Sequence, residues 1–389
     1  FIQAAVAHHR ATGKDNALDI ARKLGDCISK KFGDGDGQLR KIDGHAEIEM
    51  ALVELYRETG ERRYLESAQY FIDLRGQRST CQNAWTGEEY FQDHLPIREM
   101  PEIIGHAVRA VYHTCGATDV FSETGDKSLL DALEKLWESM TLRKMYISGG
   151  IGSRYHGEAF GEDYELPNSR AYTETCASIG SVMWAWRMLQ ISGEPGYADI
   201  LEQTLYNGVI SGLSLSGDEY FYPNPLADMG KSRRQKWFGC ACCPPNVARL
   251  LASLPGYFYS QSKDDGAIWA HLYASGEAKF DVQGNGVALK VETQYPWDCS
   301  LKITVDTPSP VQFSLNLRIP GWAEEAQVSV NGEEIDGAKS GSYASITREW
   351  NPGDTVAMDL QMPVRLIRSH PHALENRGRL ALMRGPLLY

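Results

Sequence analysis

The chain has 389 residues, 42% hydrophobic and 23% charged, enough for two or three domains with sizeable cores. Its net charge of −12 argues against nucleic acid or an anionic membrane as the main partner, because both demand basic surface. No run of about 18 apolar residues marks a membrane-spanning helix.

The opening Phe1-Ile2-Gln3-Ala4-Ala5-Val6 lacks the basic n-region and cleavage site of a signal peptide, so a cytoplasmic location is expected. The chain starts inside a helical pattern without an initiator Met. It stops on Arg384-Gly385-Pro386-Leu387-Leu388-Tyr389, which reads as an unfinished strand. A piece of a longer protein is therefore expected.

A punctuated repeat runs through the first two thirds. Thr12-Gly13, Thr59-Gly60, Thr124-Gly125 and Ser192-Gly193 each follow an amphipathic run, and each precedes another, such as Tyr64-Leu65-Glu66-Ser67-Ala68. Flanking positions such as Ile48, Leu52, Leu55 and Tyr56 keep helical spacing. Glycine just past a helix end explains the punctuation, so the unit is a helical hairpin repeated at roughly 47 to 68 residues. The spacing is too uneven for a solenoid and predicts a closed α/α toroid. Inserts 76–100, 146–172 and 216–246, rich in Gly, His, Arg and aromatics, predict a functional rim. From about residue 265 the period becomes two, as in Lys302-Ile303-Thr304-Val305, with turn signals at Asn331-Gly332 and Asn351-Pro352-Gly353-Asp354. An antiparallel β-sandwich is expected there.

The eight cysteines are scattered except for Cys240, Cys242 and Cys243 in Cys240-Ala-Cys-Cys-Pro-Pro-Asn246. Such a cluster binds a soft metal, exchanges disulfides or supplies a nucleophile. Pro244 drives Cys243 out of the helical region, as a loop leading into a helix needs. Glu174 and Cys176 can converge on one ion if their segment is extended or enters a helix. Together, Glu174, Cys176, Cys242 and Cys243 form a candidate Zn²⁺ site. Cys240 has no ligand role and reads as packing. A closed structural zinc site and a vicinal disulfide are the competing readings of the segment.

Gly157-Glu158-Ala159-Phe160, Glu174-Thr175-Cys176 and Cys240–Asn246, in this order on a helical repeat followed by strands, resemble glycoside hydrolase family 127, the bacterial β-L-arabinofuranosidases. The resemblance implies an (α/α)6 barrel over 1–264, a β-sandwich over 265–368 and the start of a second sandwich over 369–389. It implies Zn²⁺ held by Glu174, Cys176, Cys242 and Cys243, with Cys242 also the nucleophile and Glu158 the general acid/base. It implies sugar contacts at His45, His106, Glu202 and Tyr222, and a further histidine ahead of Phe1. The implied partner is an arabinofuranosyl oligosaccharide or glycoconjugate, and a homodimer is the admitted assembly.

In this scheme a thiolate replaces one carboxylate of the usual glycosidase pair. Glu158 is expected to have a raised pKa, so that it acts first as an acid. Two other functions compete: a sugar epimerase or lyase on an α/α toroid, and a non-catalytic carbohydrate-binding protein with structural zinc. His94 reads as either a rim residue or a loop cap. Trp184, Trp186 and Met188 read as core, and the Tyr220-Phe221-Tyr222 run as either a buried strand or a sugar-stacking surface.

Overall fold

The computed structural model describes residues 1–78 and 87–389; Cys81 and part of the 76–100 insert lie outside the described residues. The first part of the chain is a set of helical hairpins: α1 (Ile2–Thr12) with α2 (Asn16–Lys31), and α3 (Ile48–Thr59) with α4 (Arg62–Leu74). After a short α5 (Gly87–Tyr90) come α6 (Ala107–Thr124) with α7 (Lys127–Ser139), and α8 (Thr175–Ser192) with α9 (Pro195–Thr204). A single helix, α10 (Cys243–Ser253), ends the series.

The Thr/Ser-Gly repeat is the C-cap of the first helix in each hairpin. Gly13, Gly60, Gly125 and Gly193 sit at φ 67°, 71°, 69° and 72°, a left-handed conformation that glycine adopts without Cβ strain. The preceding hydroxyl works in both directions. Thr59 Oγ1 donates to Leu55 O at 2.7 Å and accepts from Glu61 N at 3.3 Å. Thr12, Thr124 and Ser192 repeat both bonds. The pair thus satisfies end-of-helix groups while turning the chain back on itself.

Helices α1, α3, α6, α8 and α10 pack in a row, with α2, α4, α7 and α9 laid against them. The difference is visible in burial. Helix α8 buries Cys176, Ile179, Val182, Trp184, Met188 and Leu189, whereas α7 buries a single stripe of Leu129, Ala132, Leu133 and Leu136. Trp184 and Met188 are fully buried, as their spacing predicted. Burying each such side chain contributes about 1.5–3 kcal/mol. Gly180 permits the close approach of α8 to α6, because a Cβ there would meet Val111 Cγ2 at 2.3 Å.

The later strands form three sheets. A four-stranded sheet has the order β1 (Tyr259–Gln261), β2 (Ile268–Ala270), β6 (Val311–Ile319), β9 (Ser342–Trp350). A six-stranded sheet has the order β3 (Gly276–Val282), β4 (Asn285–Thr293), β5 (Ser300–Asp306), β10 (Thr355–Leu360), β7 (Ala326–Val330), β8 (Glu333–Glu334). Leu315, Leu317 and Ile346 of the first sheet share one core with Leu289, Ile303 and Val356 of the second. The pairing is not wholly antiparallel: β2 runs parallel to β6. The chain leaves the four-stranded sheet after β2 and builds β3, β4 and β5 elsewhere before returning, a crossover long enough for parallel entry. Strand β1 also begins ahead of residue 265. A small third sheet joins β11 (Val364–Ile367), β12 (Ala381–Arg384) and β13 (Leu387–Leu388), so its first strand precedes residue 369.

Side-chain contacts tie the helical part of the chain to the strand part. Fully buried Arg318 of β6 pairs through Nη1 with Asp199 Oδ1 at 2.5 Å and through Nη2 with Glu202 Oε1 at 2.8 Å, both on α9. At the third sheet, the Tyr164 ring stacks on His370 at 4.1 Å, and Asn168 N donates to Glu375 Oε2 at 2.9 Å. No described helix is long and apolar enough to cross a membrane.

Candidate active site

The N-cap residues of α3, α6, α8 and α10 are Glu47, His106, Glu174 and Cys242. All four line one cavity of about 560 Å³. The packed row of helices therefore presents its positive dipole ends to a single mouth, which favours carboxylates and thiolates there.

Within it, Glu174, Cys176, Cys242 and Cys243 bring one ligand atom each to within 4.8 Å of one another. Cys176 Sγ lies 3.6 Å from Cys243 Sγ, which lies 3.7 Å from Cys242 Sγ. Glu174 Oε1 is 3.4 Å from Cys242 Sγ and 3.7 Å from Cys243 Sγ. Glu174 Oε2 is buried without a hydrogen-bond partner. This many acidic groups cannot all ionise side by side. Burial and the Cys242 charge push the Glu174 carboxyl up to about 9. The Cys176 and Cys243 thiols are pushed up, and by donating to Cys242 they push that thiol down. A shared cation would relieve the crowding, so these residues fit a bound metal ion.

Tyr222 stands beside the cluster, its hydroxyl 3.0 Å from Cys242 Sγ. Burial raises its pKa, so it stays protonated and can donate to a thiolate. It is held there because residues 172–175 pair with 222–224: Thr175 N donates to Tyr222 O at 3.0 Å and Asn224 N to Tyr172 O at 3.0 Å.

Glu158 reaches the cavity from a tight turn. Arg154 and Ala159 exchange backbone hydrogen bonds of 3.0 and 3.1 Å, with Gly157 at φ 69° and Glu158 itself at φ 50°. A left-handed non-glycine residue costs on the order of 1–3 kcal/mol, here offset by two partners. His106 Nδ1 accepts the Arg109 N–H at 3.2 Å, so the ring proton sits on Nε2 and donates to Glu158 Oε2 at 2.9 Å. The Tyr172 hydroxyl donates to Glu158 Oε1 at 2.5 Å. These bonds, His106 foremost, hold the Glu158 carboxyl below its ordinary range. The raised value expected from the sequence is therefore corrected: the turn supplies donors to the charged form that no motif displays.

Two models of known families match the chain. The β-L-arabinofuranosidase GH127 catalytic domain matches residues 1–256, and the GH127 middle domain matches 267–362. The chain belongs to glycoside hydrolase family 127. A non-reducing end β-L-arabinofuranosidase of Bifidobacterium longum is 38% identical over all of this family 127 chain, which spans 63% of that relative's length. A solved GH127 β-L-arabinofuranosidase from Geobacillus stearothermophilus superposes with TM-score 0.94 at 45% identity, over all of this chain and 65% of that one. A second solved GH127 β-arabinofuranosidase gives 0.94 at 43% identity, covering 62% of its own chain.

In this family 127 chain the cavity gathers most residues singled out from the sequence: His45, His106, Glu158, Glu174, Cys176, Tyr222 and Cys242 line it, and Cys243 lies just behind. His45 stands 6.2 Å from His106 between ring centroids, and burial with the Arg109 charge lowers its pKa to about 4. Inserts 146–172 and 216–246 supply Glu158 and Tyr222.

Glu202 is elsewhere. It is fully buried under the strands, accepting from Tyr295 Oη at 2.5 Å and Trp322 Nε1 at 3.2 Å besides pairing with Arg318. That geometry gives it an inter-domain role and no access to the cavity. Cys240 is exposed and lines the cavity, so the packing expectation is corrected as well. His94 does not line the cavity, and Trp186 stacks on Tyr257 at 4.8 Å away from it.

Sequence reasoning missed Tyr172, Tyr112, Arg109 and Arg249. Tyr112 accepts from Asn246 Nδ2 at 2.7 Å and Arg249 Nη2 at 2.9 Å, linking α6 to α10 beneath the cysteines. Arg109 donates to Gly44 O beside His45 and lies over the Tyr90 ring at 4.9 Å. Arg109 falls three residues after His106, one helical turn on, and Tyr172 precedes Glu174 by two; those offsets were the available signals.

Proposed function

We propose that this protein is a retaining glycosidase that removes terminal β-L-arabinofuranosyl residues from oligosaccharides or glycoconjugates. Cys242 is its nucleophile and Glu158 its acid/base. One observation carries the reading: a thiol within 3.0 Å of the Tyr222 hydroxyl and a carboxyl held by two donors face the same cavity, on a chain of family 127. We further read the helices as an (α/α)6 barrel over about residues 1–264. The two larger sheets then form a β-sandwich, and the third belongs to a further strand domain.

In the first step Cys242 Sγ forms a bond to the anomeric carbon as the carbon–oxygen bond to the leaving group breaks. The Glu158 proton moves to that oxygen. In the second, Glu158 takes a proton from water, the water oxygen bonds to the anomeric carbon, and the carbon–sulfur bond breaks. Two inversions give net retention. Glu158 must be protonated to begin, and a sugar that displaces water from its surroundings raises its pKa toward that state. Tyr222 steadies sulfur whenever it carries charge, neutral His45 offers hydrogen bonds to sugar hydroxyls, and His106, beside it, keeps Glu158 aimed into the sugar site.

Glu174, Cys176, Cys242 and Cys243 are the residues that would hold Zn²⁺. Tetrahedral zinc, with sulfur at about 2.3 Å and oxygen at about 2.0 Å, needs sulfur–sulfur edges of about 3.8 Å and sulfur–oxygen edges of about 3.5 Å. The spacings of 3.6 and 3.7 Å between sulfurs, and 3.4 and 3.7 Å to Glu174, support that ion. When bound, zinc stabilises the thiolate forms of its cysteine ligands, which helps the sulfur depart in the second step.

Turnover of p-nitrophenyl β-L-arabinofuranoside by purified protein, with NMR of the first-formed anomer and zinc content per chain, tests the reading. Hydrolysis with retention and close to one zinc per active chain is expected. An inverted first product, or full activity at far below one zinc per chain, overturns it.

A further inference from the structure

Four aromatic rings run in sequence past the reacting groups. Phe238 packs edge-on against Tyr222 at 5.4 Å, Tyr222 lies 6.3 Å from Tyr172, and Tyr172 lies 4.8 Å from Tyr155. Two of them touch the chemistry: Tyr222 stands at Cys242 Sγ, and Tyr172 at Glu158 Oε1. The row is thus ordered along the displacement, from the nucleophile to the proton donor. In an in-line displacement the leaving group departs on the side away from sulfur, toward the group that protonates it. The rest of the leaving group must continue past Glu158 and out of the cavity, where Tyr155 is the outermost ring of this row.

Tyr155 has the features such a position needs. It is 53% exposed, while Tyr172 behind it is 7% exposed. It shares the tight turn of Glu158, whose N–H donates to Tyr155 O at 3.2 Å, so its backbone is fixed relative to the acid/base. The turn is also closed by the Arg154–Ala159 pair and by Phe160 N donating to Gly105 O at 2.9 Å. An exposed tyrosine on a rigid turn offers amphipathic area at little entropic cost, suited to the C–H face of a pyranose or furanose ring.

We propose that Tyr155 is the stacking platform for the first sugar of the leaving group, and so helps to set which linked residue the enzyme accepts. The inference rests on the glycosidase reading above and names a specificity determinant within it. Tyr155 contributes by contact with the departing sugar, not by holding Tyr172 or Glu158 in place.

The test compares kcat/KM for two substrates sharing a β-L-arabinofuranosyl unit, a disaccharide and the methyl glycoside, which has no ring in its leaving group. In Tyr155→Ala the ratio of disaccharide to methyl glycoside is expected to fall by about tenfold, chiefly through the disaccharide KM. Tyr155→Phe should keep the ratio within about twofold of wild type. Phe238→Ala, which disturbs Tyr222 at the opposite end of the row, should change both substrates together. A Tyr155→Ala protein with an unaltered ratio, whether its activities are normal or lowered in parallel, overturns the proposal. Wild-type protein that hydrolyses neither substrate overturns instead the glycosidase reading on which it rests.

Discussion

Tyr222 and Cys242, twenty residues apart in sequence, meet with the tyrosine hydroxyl 3.0 Å from the sulfur. That contact separates Cys242 from its two neighbours, as does its exposure: Cys242 is half-buried at the cavity, whereas Cys176 and Cys243 are buried. Cys242→Ser is accordingly expected to lose turnover by at least about a thousandfold while keeping most of its zinc. Cys176→Ser should lose zinc and thermal stability together. Paired kinetics and metal analysis check this; a Cys242→Ser enzyme near wild-type rate removes the nucleophile assignment.

Glu158→Gln keeps the shape of the side chain but has no proton to give. With an alkyl or sugar leaving group, kcat/KM should fall by about 10²–10⁴-fold. With p-nitrophenolate, which departs without protonation, the loss in the first step should be much smaller. Equal losses on both substrates would point to a role other than acid catalysis.

Glu202 and Arg318 give a stability prediction. Arg318→Ala leaves Glu202 fully buried, and Asp199 partly buried, without their cation and should cost about 3–5 kcal/mol. Glu202→Gln should lower the melting temperature while leaving KM within about twofold of wild type, as no sugar reaches it. A tenfold higher KM at unchanged melting temperature would restore Glu202 as a sugar contact.

His271 makes stability depend on pH. It is buried between Ser260 Oγ and Tyr343 Oη, each at 2.6 Å, and burial lowers its pKa to about 3. The unfolded chain, with an ordinary histidine near 6.5, binds the proton first. The stabilisation is therefore present above about pH 6.5 and is lost as pH falls toward 3. His271→Gln does not titrate, so the gap in melting temperature between wild type and variant should narrow on acidification through that window. A gap that stays constant from pH 7 to 4 contradicts the assignment.

The parts of this protein legible in the sequence are those governed by local chemistry. The Thr/Ser-Gly pairs announced their helix ends because both the glycine and the hydroxyl act within four residues of themselves. His106, Glu174 and Cys242 stood out because each sits at a helix start, where side chains that would cap or bind are locally marked. What stayed hidden depends on distant partners. The grip of His106 and Tyr172 on Glu158, which reversed the expected pKa direction, spans 52 and 14 residues. Strand alternation reports which face is buried but not the neighbour, so the parallel β2–β6 pair was invisible. Glu202 shows the same gap: the resemblance implied a sugar contact, and that strands would cover this carboxylate of α9 could not be read locally.

The turn that bears Glu158 continues into residues that meet the link between β11 and β12, through Tyr164 on His370 and Asn168 on Glu375. Cys242 stands at the start of α10, which packs on α8. The two sides of the cavity therefore have different surroundings: the sulfur cluster sits on helix ends, while the turn bearing Glu158 leads on to residues packed against the last part of the chain. Cutting the protein after α10 would remove the partners of Tyr164 and Asn168 and leave the Glu158 turn to its contacts with Gly105, His106 and Tyr172.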